Sequence, residues 1–388
     1  MSDVYIVGAG QVPVSKGGQV LGRDLAARAV HAALDDAELD NPDALYIGNM
    51  MSGLLSDQQQ LGALVAQTAS LRGVEAATVE AACASGAAAA RVGYMAIASG
   101  LARAVVVAGV EKMTHAPRDK TTAALATASD WLHEGSRGES FLSLNARLMA
   151  TYMSHYGLGT EVFAPFSVTA HDNACDNPNA LFHKDVDLDT YLTSKEIIPP
   201  VKLYDASPVC DGAAAIVLCN ADVARAAQRV GRPLVKIRAS AVATDSVGLD
   251  HRRSLLRLDG VVQSSRRAFE QAGIGPSDVD LFELHDAYTI ISVLSLEGAG
   301  FAAPGEGWRL GADGRIGRHG QVPIATMGGL KGRGHPVGAT GVYQLVEAWL
   351  QLIGRAGAAQ IPGVEIAMTQ NLGGTGATVV THLLTREA

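Results

Sequence analysis

At 388 residues, 48% hydrophobic and only 18% charged, the chain is long and apolar enough for two domains or one large duplicated unit. A formal net charge of -8 and the lack of any basic run give no general attraction for nucleic acid. No apolar run is long enough to span a bilayer, no secretory leader pattern opens the chain, and Cys83, Cys175, Cys210 and Cys219 form no CxxC pair. The expectation is a cytoplasmic protein with reduced thiols, no metal site and no membrane contact.

In chain order, Val4-Tyr5-Ile6-Val7 reads as a buried strand running into Gly8-Ala9-Gly10. That string invites a dinucleotide-binding turn, but Pro13 stands where the third glycine belongs, and a plain strand-end turn is the simpler expectation. Asp24–Asp36 is an amphipathic helix with Leu25, Ala29, Ala32 and Ala33 on one side. A strand over Leu45–Asn49 and a helix over Gln58–Ser70 follow. The extended run Ala77–Glu80 then leads into Cys83 and a small-residue helix reaching about Ser99. Such a junction sets Cys83 near unpaired helix N–H groups, which favour a thiolate. Ala104–Gly109 is a buried strand ending in Glu111-Lys112-Met113.

From His115 to about Tyr204 strands are scarce, and Arg147–Tyr156 and Glu161–Cys175 read as helices. This is an expected inserted loop domain, covering a site, packing or oligomerising. Ser207–Cys219 returns to buried strand and a helix is expected over Ala221–Val230. A second copy then begins at Leu234–Ala239. The helix ending at Gly273 and the run Val279–His285 repeat Leu34–Asn49. The run Ala325–Met327, the Gly334-His335-Pro336 string and a helix over Val342–Ile353 repeat the Cys83 region. Ile366–Thr369 and Ala377–His382 complete the copy. The expected boundary is 1–232 and 233–388, with the insertion at about 115–204. Two such halves imply stacked mixed sheets with helices between and outside them, which brings the Cys83 and His335 junctions to one interface.

Cys83, the string Gly332-Arg333-Gly334-His335-Pro336-Val337-Gly338-Ala339-Thr340-Gly341, the run Glu283-Leu284-His285-Asp286-Ala287-Tyr288 and the turn Asn371-Leu372-Gly373-Gly374 together resemble the thiolase superfamily over essentially the whole chain. Within it the chain is similar to the archaeal-type and sterol-carrier-type thiolases, through His285-Asp286 and Glu111-Lys112-Met113. Ketoacyl synthases share fold and nucleophile but differ in the local strings.

The resemblance implies an α/β thiolase fold, a five-layer αβαβα sandwich. It implies a cysteine-linked acyl transfer with condensation or thiolysis of short 3-ketoacyl-CoA such as acetoacetyl-CoA. Cys83 would attack the thioester, His335 accept its proton, and His285 donate to the enolate oxygen. Backbone N–H groups of Cys83 and of Gly373 or Gly374 would form a second oxyanion site. Asp286 would support the fold. Coenzyme A would be substrate, with no other cofactor; Arg252, Arg253 and Lys331 are phosphate contacts by charge alone. A homodimer or homotetramer is implied, with a small zinc-ribbon/OB-fold protein and a hydroxymethylglutaryl-CoA synthase as possible partners.

One departure stands out. Thiolases carry a second cysteine as acid/base at the α-carbon, and here its two usual places hold Gly373-Gly374 and Ala287. Cys210 could approach. Otherwise His335, His285 or Tyr288 moves that proton, or the carbon–carbon step is lost. Acyl transfer to another acceptor, retro-aldol cleavage and a non-catalytic acyl-CoA or lipid-binding subunit are the alternatives. Helix terminus and imidazole together are expected to lower the Cys83 thiol below a free one.

Overall fold

The computed structural model describes residues 2–227 and 232–387. Its strands are β1 (Val4–Gln11), β2 (Ala44–Gly48), β3 (Glu75–Val79), β4 (Ala104–Glu111), β5 (Glu196–Ile198), β6 (Val201–Lys202), β7 (Gly212–Asn220), β8 (Leu234–Thr244), β9 (Leu281–Glu283), β10 (Ile366–Gly373) and β11 (Thr378–Glu387). All but the β5–β6 hairpin join one ladder, in the order β3-β2-β4-β7-β1-β8-β11-β10-β9. β2 is parallel to β3 and β4, and β9 to β10; the other neighbours are antiparallel. Among the described residues the halves meet edge to edge through Tyr5↔Lys236 and Ile6↔Val235.

Side-chain alternation along the strands builds the layers. Tyr5 and Val7 of β1 and Val106 of β4 pack with the outer helix Gly22–Ala37. Their neighbours Val4, Ile6, Val105 and Val107 pack inward, on the helices Ser85–Ala98 and Thr340–Leu352. In the second half Val235, Ile237 and Leu384 meet the same inner pair, while Ala239, Ala241 and Leu383 face the outer helix Asp259–Ala272. The result is helix, strands, paired helices, strands, helix, which is the expected sandwich. An inner helix has no solvated face, so its polar groups need partners. In Thr340–Leu352 the buried Gln344 Nε2 donates to the carbonyls of Glu283, Leu284 and Gln370. Glu347 meets Arg333 at 2.8 Å, both fully buried.

Two expectations change. The chain does not turn at Gly8-Ala9-Gly10; β1 continues through it to Gln11. A Cβ on Gly8 would lie 2.5 Å from Ala33 O and one on Gly10 2.4 Å from Ala29 O, so these glycines seat the outer helix and cradle no phosphate. The second copy is also one strand short. Near Ala325–Met327 only the bridge Phe282↔Ile324 remains, beside Pro323, which has no N–H to extend a ladder. The helix expected over Ala221–Val230 is Ala221–Ala226, and its last expected positions, 228–230, lie outside the described residues.

The insertion carries the helices Arg118–Ala126, Phe141–Tyr156, Ala164–Cys175 and Leu188–Thr193 and the β5–β6 hairpin. Ser140 and Ser143 form a capping box that starts the second of these. Among the described residues no helix is long and apolar enough to cross a membrane.

Candidate active site

After β3 the chain turns through Ala82, whose φ of 52° is left-handed. For a residue with a Cβ this costs about 1–2 kcal/mol. Ser85 stabilises the turn, its Oγ accepting from Ala81 N (2.9 Å) and donating to Ala82 O (2.6 Å). Cys83 emerges two residues before the helix Ser85–Ala98 and is 7% exposed. The second junction delivers His335 just before the helix Thr340–Leu352. The two helix starts touch backbone to backbone. A Cβ on Gly341 would lie 2.3 Å from Ala87 N and 2.4 Å from Asn371 Oδ1, so only glycine permits the approach.

Glu111 ties the junctions together. It accepts from Asn49 Nδ2 (3.0 Å), Met51 N (3.2 Å), Met50 N (3.0 Å) and Gly338 N (3.1 Å). Burial still outweighs these four donors and pushes its carboxyl up to about 7. Asp286 accepts from Leu330 N (2.6 Å) and pairs with buried Lys331 (3.2 Å), fixing the loop ahead of His335.

Cys83, His285 and His335 line one cavity of about 120 Å³ together with Ala287, Tyr288, Ile291, Val337 and Gly374. Leu125, Phe141 and Asn145 of the insertion also line it. The imidazoles of His285 and His335 stand edge to face, centroids 5.1 Å apart. Their other nitrogens set complementary tautomers. Thr340 Oγ1 lies 2.7 Å from His335 Nδ1 and spends its own proton on Pro336 O, so Nδ1 carries hydrogen and Nε2 is left as a base. Asn371 Nδ2 donates to His285 Nδ1 (2.9 Å), so His285 Nε2 carries hydrogen and is a donor. Burial keeps both rings neutral, His285 down to about 4 and His335 well below its usual value, the latter also through His285 and Arg333.

The resting thiol runs against expectation. Burial, then the nearby Glu111, pushes Cys83 up to about 12; the N–H groups of Gly374 and of Cys83 itself pull the other way and lose. Neither N–H group offsets the desolvation, and the neutral His335 adds no positive charge. The site holds a thiol beside an imidazole base, not a preformed thiolate.

Gly374, at φ 62°, presents its N–H at the Cys83 sulfur. Gly373 does not; it packs on Ala81 O, which an added Cβ would approach to 2.3 Å, and it lines no part of the cavity. Cys210 is fully buried behind His335, whose backbone N–H it accepts, and is likewise off the cavity. Arg252 is committed to Thr375 O (2.8 Å) and Oγ1 (3.0 Å), Lys331 to Asp286, and Arg253 is exposed elsewhere. A second cavity of about 450 Å³ shares Ser207 and Pro208 with the first and carries exposed Lys16 and Lys184 and half-buried Phe182. Sequence reasoning missed these lysines, which stand in no motif. It also gave no role to Thr340 and Asn371, although both sit inside the quoted strings.

Comparison with known proteins shows what the chain resembles. Residues 4–222 match the family described as "Thiolase, N-terminal domain" and residues 241–386 that described as "Thiolase C-terminal domain-like". The chain is 42% identical to an acetyl-CoA acetyltransferase of Methanothermobacter thermautotrophicus, covering 100% of both chains. It is 37% identical to one of Methanocaldococcus jannaschii over 99% of each. It is 30% identical to sterol carrier protein 2 of Bos taurus, over 97% of this chain and 71% of that one. Among solved structures, an "Ltp2-ChsH2(DUF35) aldolase" superposes with a TM-score of 0.87 at 23% identity over 99% of this chain and 98% of the other. The acetyl-CoA acetyltransferase of Syntrophomonas wolfei gives 0.75 at 20% identity, with 100% of both chains covered.

Proposed function

This chain belongs to the thiolase family, and from that premise we propose that it is an acetyl-CoA C-acetyltransferase acting on acetoacetyl-CoA and other short 3-ketoacyl thioesters. The observation that carries the reading is the meeting of Cys83, His285 and His335 on one small cavity. Full-length relatives bearing the acetyl-CoA acetyltransferase name support the substrate class. So does size: a dry cavity of about 150 Å³ holds a benzene ring, and about 120 Å³ suits a short acyl group rather than a long chain.

In thiolysis Cys83 attacks the 3-keto carbon while His335 Nε2 takes the thiol proton. The oxyanion lies among the N–H groups of Cys83 and Gly374, and His285 Nε2–H serves the thioester oxygen as the enolate forms. Coenzyme A then takes the acyl group from Cys83, with His335 returning the proton. Acid–base groups suffice for each step, so no cofactor is invoked. The pantetheine arm would run past Ser207 into the larger cavity, with its phosphates at Lys16 and Lys184.

Four unpaired cysteines support a reducing, cytoplasmic setting. One edge of β3 has no partner strand among the described residues and its side chains are largely exposed, which supports pairing with a second copy. The DUF35 component named with the similar aldolase motivates a search for a small partner protein; the family resemblance adds a hydroxymethylglutaryl-CoA synthase to that search.

The test is CoA-dependent loss of acetoacetyl-CoA by the pure protein, with acetyl-CoA as product, alone and with candidate partners. No loss under any of these conditions would refute the reading. An acetyl adduct on Cys83 without thiolysis would point to a different acceptor.

A further inference from the structure

Breaking the bond between C2 and C3 of a 3-ketoacyl thioester leaves an enolate, and C2 must then gain a proton. The polar groups lining the cavity are Cys83, Asn145, Ser207, His285, Tyr288 and His335. The Cys83 sulfur is consumed in bonding to C3. His335 Nε2 is an acceptor at the outset, because its proton is on Nδ1 facing Thr340. His285 Nε2–H is needed at the enolate oxygen. Asn145 Nδ2 donates to Phe141 O (2.8 Å), which leaves its unpartnered Oδ1, an acceptor, for the cavity. Ser207 sits on the rim shared with the larger cavity.

Tyr288 remains. Its hydroxyl makes no hydrogen bond with any described residue, although the side chain lies in the cavity wall beside Ile291. Its backbone is well held. Tyr288 bridges to Ala206, Ser207 N donates to Ala287 O (2.8 Å), and Tyr288 O accepts from Ile291 N (3.0 Å) as the helix Thr289–Gly298 begins. A rigid phenol with a free O–H is what a positioned acid requires. Among the described residues no second thiol lines this cavity.

We propose that Tyr288 is the acid that protonates C2 in cleavage and the base that removes that proton in condensation. This rests on the thiolase reading above. In cleavage the Cys83 proton passes to His335 Nε2 as the S–C3 bond forms. The C2–C3 bond breaks and its electron pair becomes the enolate. Tyr288 O–H gives its proton to C2, and the proton on His335 Nε2 neutralises the phenolate. The site ends neutral, with Cys83 acylated and acetyl-CoA complete. Burial, reinforced by Cys83, raises the Tyr288 phenol above its usual range, so it is in the donating form at neutral pH. In condensation the same relay runs in reverse: His335 Nε2 takes the Tyr288 proton as Tyr288 removes that of C2.

Ala287, beside it on the same wall, provides a rescue position. Three proteins are compared: wild type, Tyr288→Phe, and Tyr288→Phe with Ala287→Cys. Each is assayed for acetylation of Cys83 by acetyl-CoA (intact mass) and for thiolysis of acetoacetyl-CoA. Tyr288→Phe should still acquire one acetyl group yet lose about 100-fold or more in thiolysis, the usual worth of a general acid. The added cysteine should restore part of that loss. Wild-type thiolysis in Tyr288→Phe would overturn the assignment. So would loss of acetylation together with thiolysis, which would mark Tyr288 as structural. A wild type that acetylates Cys83 but never cleaves would overturn the thiolase reading and this assignment with it.

Discussion

Cys83 should be nearly inert to iodoacetamide at neutral pH in the resting protein. Burial raises its thiol from the usual 9.0 to about 12. At 1.36 kcal/mol for each pKa unit, that is about 4 kcal/mol against the free thiolate, or roughly 1,000-fold less of it than in an unburied thiol. Alkylation follows the thiolate. Labelling of Cys83 should therefore be about 1,000-fold slower at pH 7 than in the urea-unfolded chain, and should rise about tenfold per pH unit beyond pH 9. Peptide mass spectrometry over a pH series measures both, with exposed Cys175 as an internal comparison. His335→Ala should leave this slow labelling unchanged, because a neutral imidazole adds no charge. It should abolish acetylation by acetyl-CoA, where His335 Nε2 takes the proton during attack. A labelling profile that levels off below pH 8 would refute the argument and restore a preformed thiolate.

With both histidines neutral as the active forms, and burial holding them down, acid inactivation should set in well below pH 6; a kcat/KM limb with its midpoint near 6.5 would contradict this. Thr340→Val removes the acceptor that fixes the His335 tautomer and should lower kcat by about tenfold, the worth of one hydrogen bond. Unchanged melting with lowered kcat is the expected pattern, and an unchanged kcat would show that Thr340 does not orient the base. Gly341→Ala drives a Cβ to 2.3 Å from Ala87 N and should destabilise the chain by about 1–3 kcal/mol, read from denaturant midpoints. An unshifted midpoint would mean that the two helix starts can separate freely.

Much of the fold was legible because the pattern is strong at the right period. Ala104–Gly109 is apolar at every position, as a strand buried on both faces must be, and Thr340–Leu352 carries few polar residues for its length, which suits a helix between two sets of strands. The internal repetition announced two halves around a shared interface. It could not show that Pro323 leaves the second half one strand short, nor that β1 and β8 share a two-residue register. Both depend on hydrogen bonds between segments far apart in the chain.

For the site, the sequence by itself singled out Cys83, His285 and His335 as candidates, and the structure brings all three to one cavity. Tertiary structure decided their state. Residue types at a helix start suggest a reactive thiolate, but a protonation state depends on how much water reaches the group, and burial together with Glu111 holds Cys83 as a thiol. Only the three-dimensional contacts with Thr340 and Asn371 decide which nitrogen of each imidazole holds its proton. Tertiary packing also separates Gly374, on the cavity, from Gly373, off it, because adjacent positions in a chain can face opposite sides of one strand end or turn.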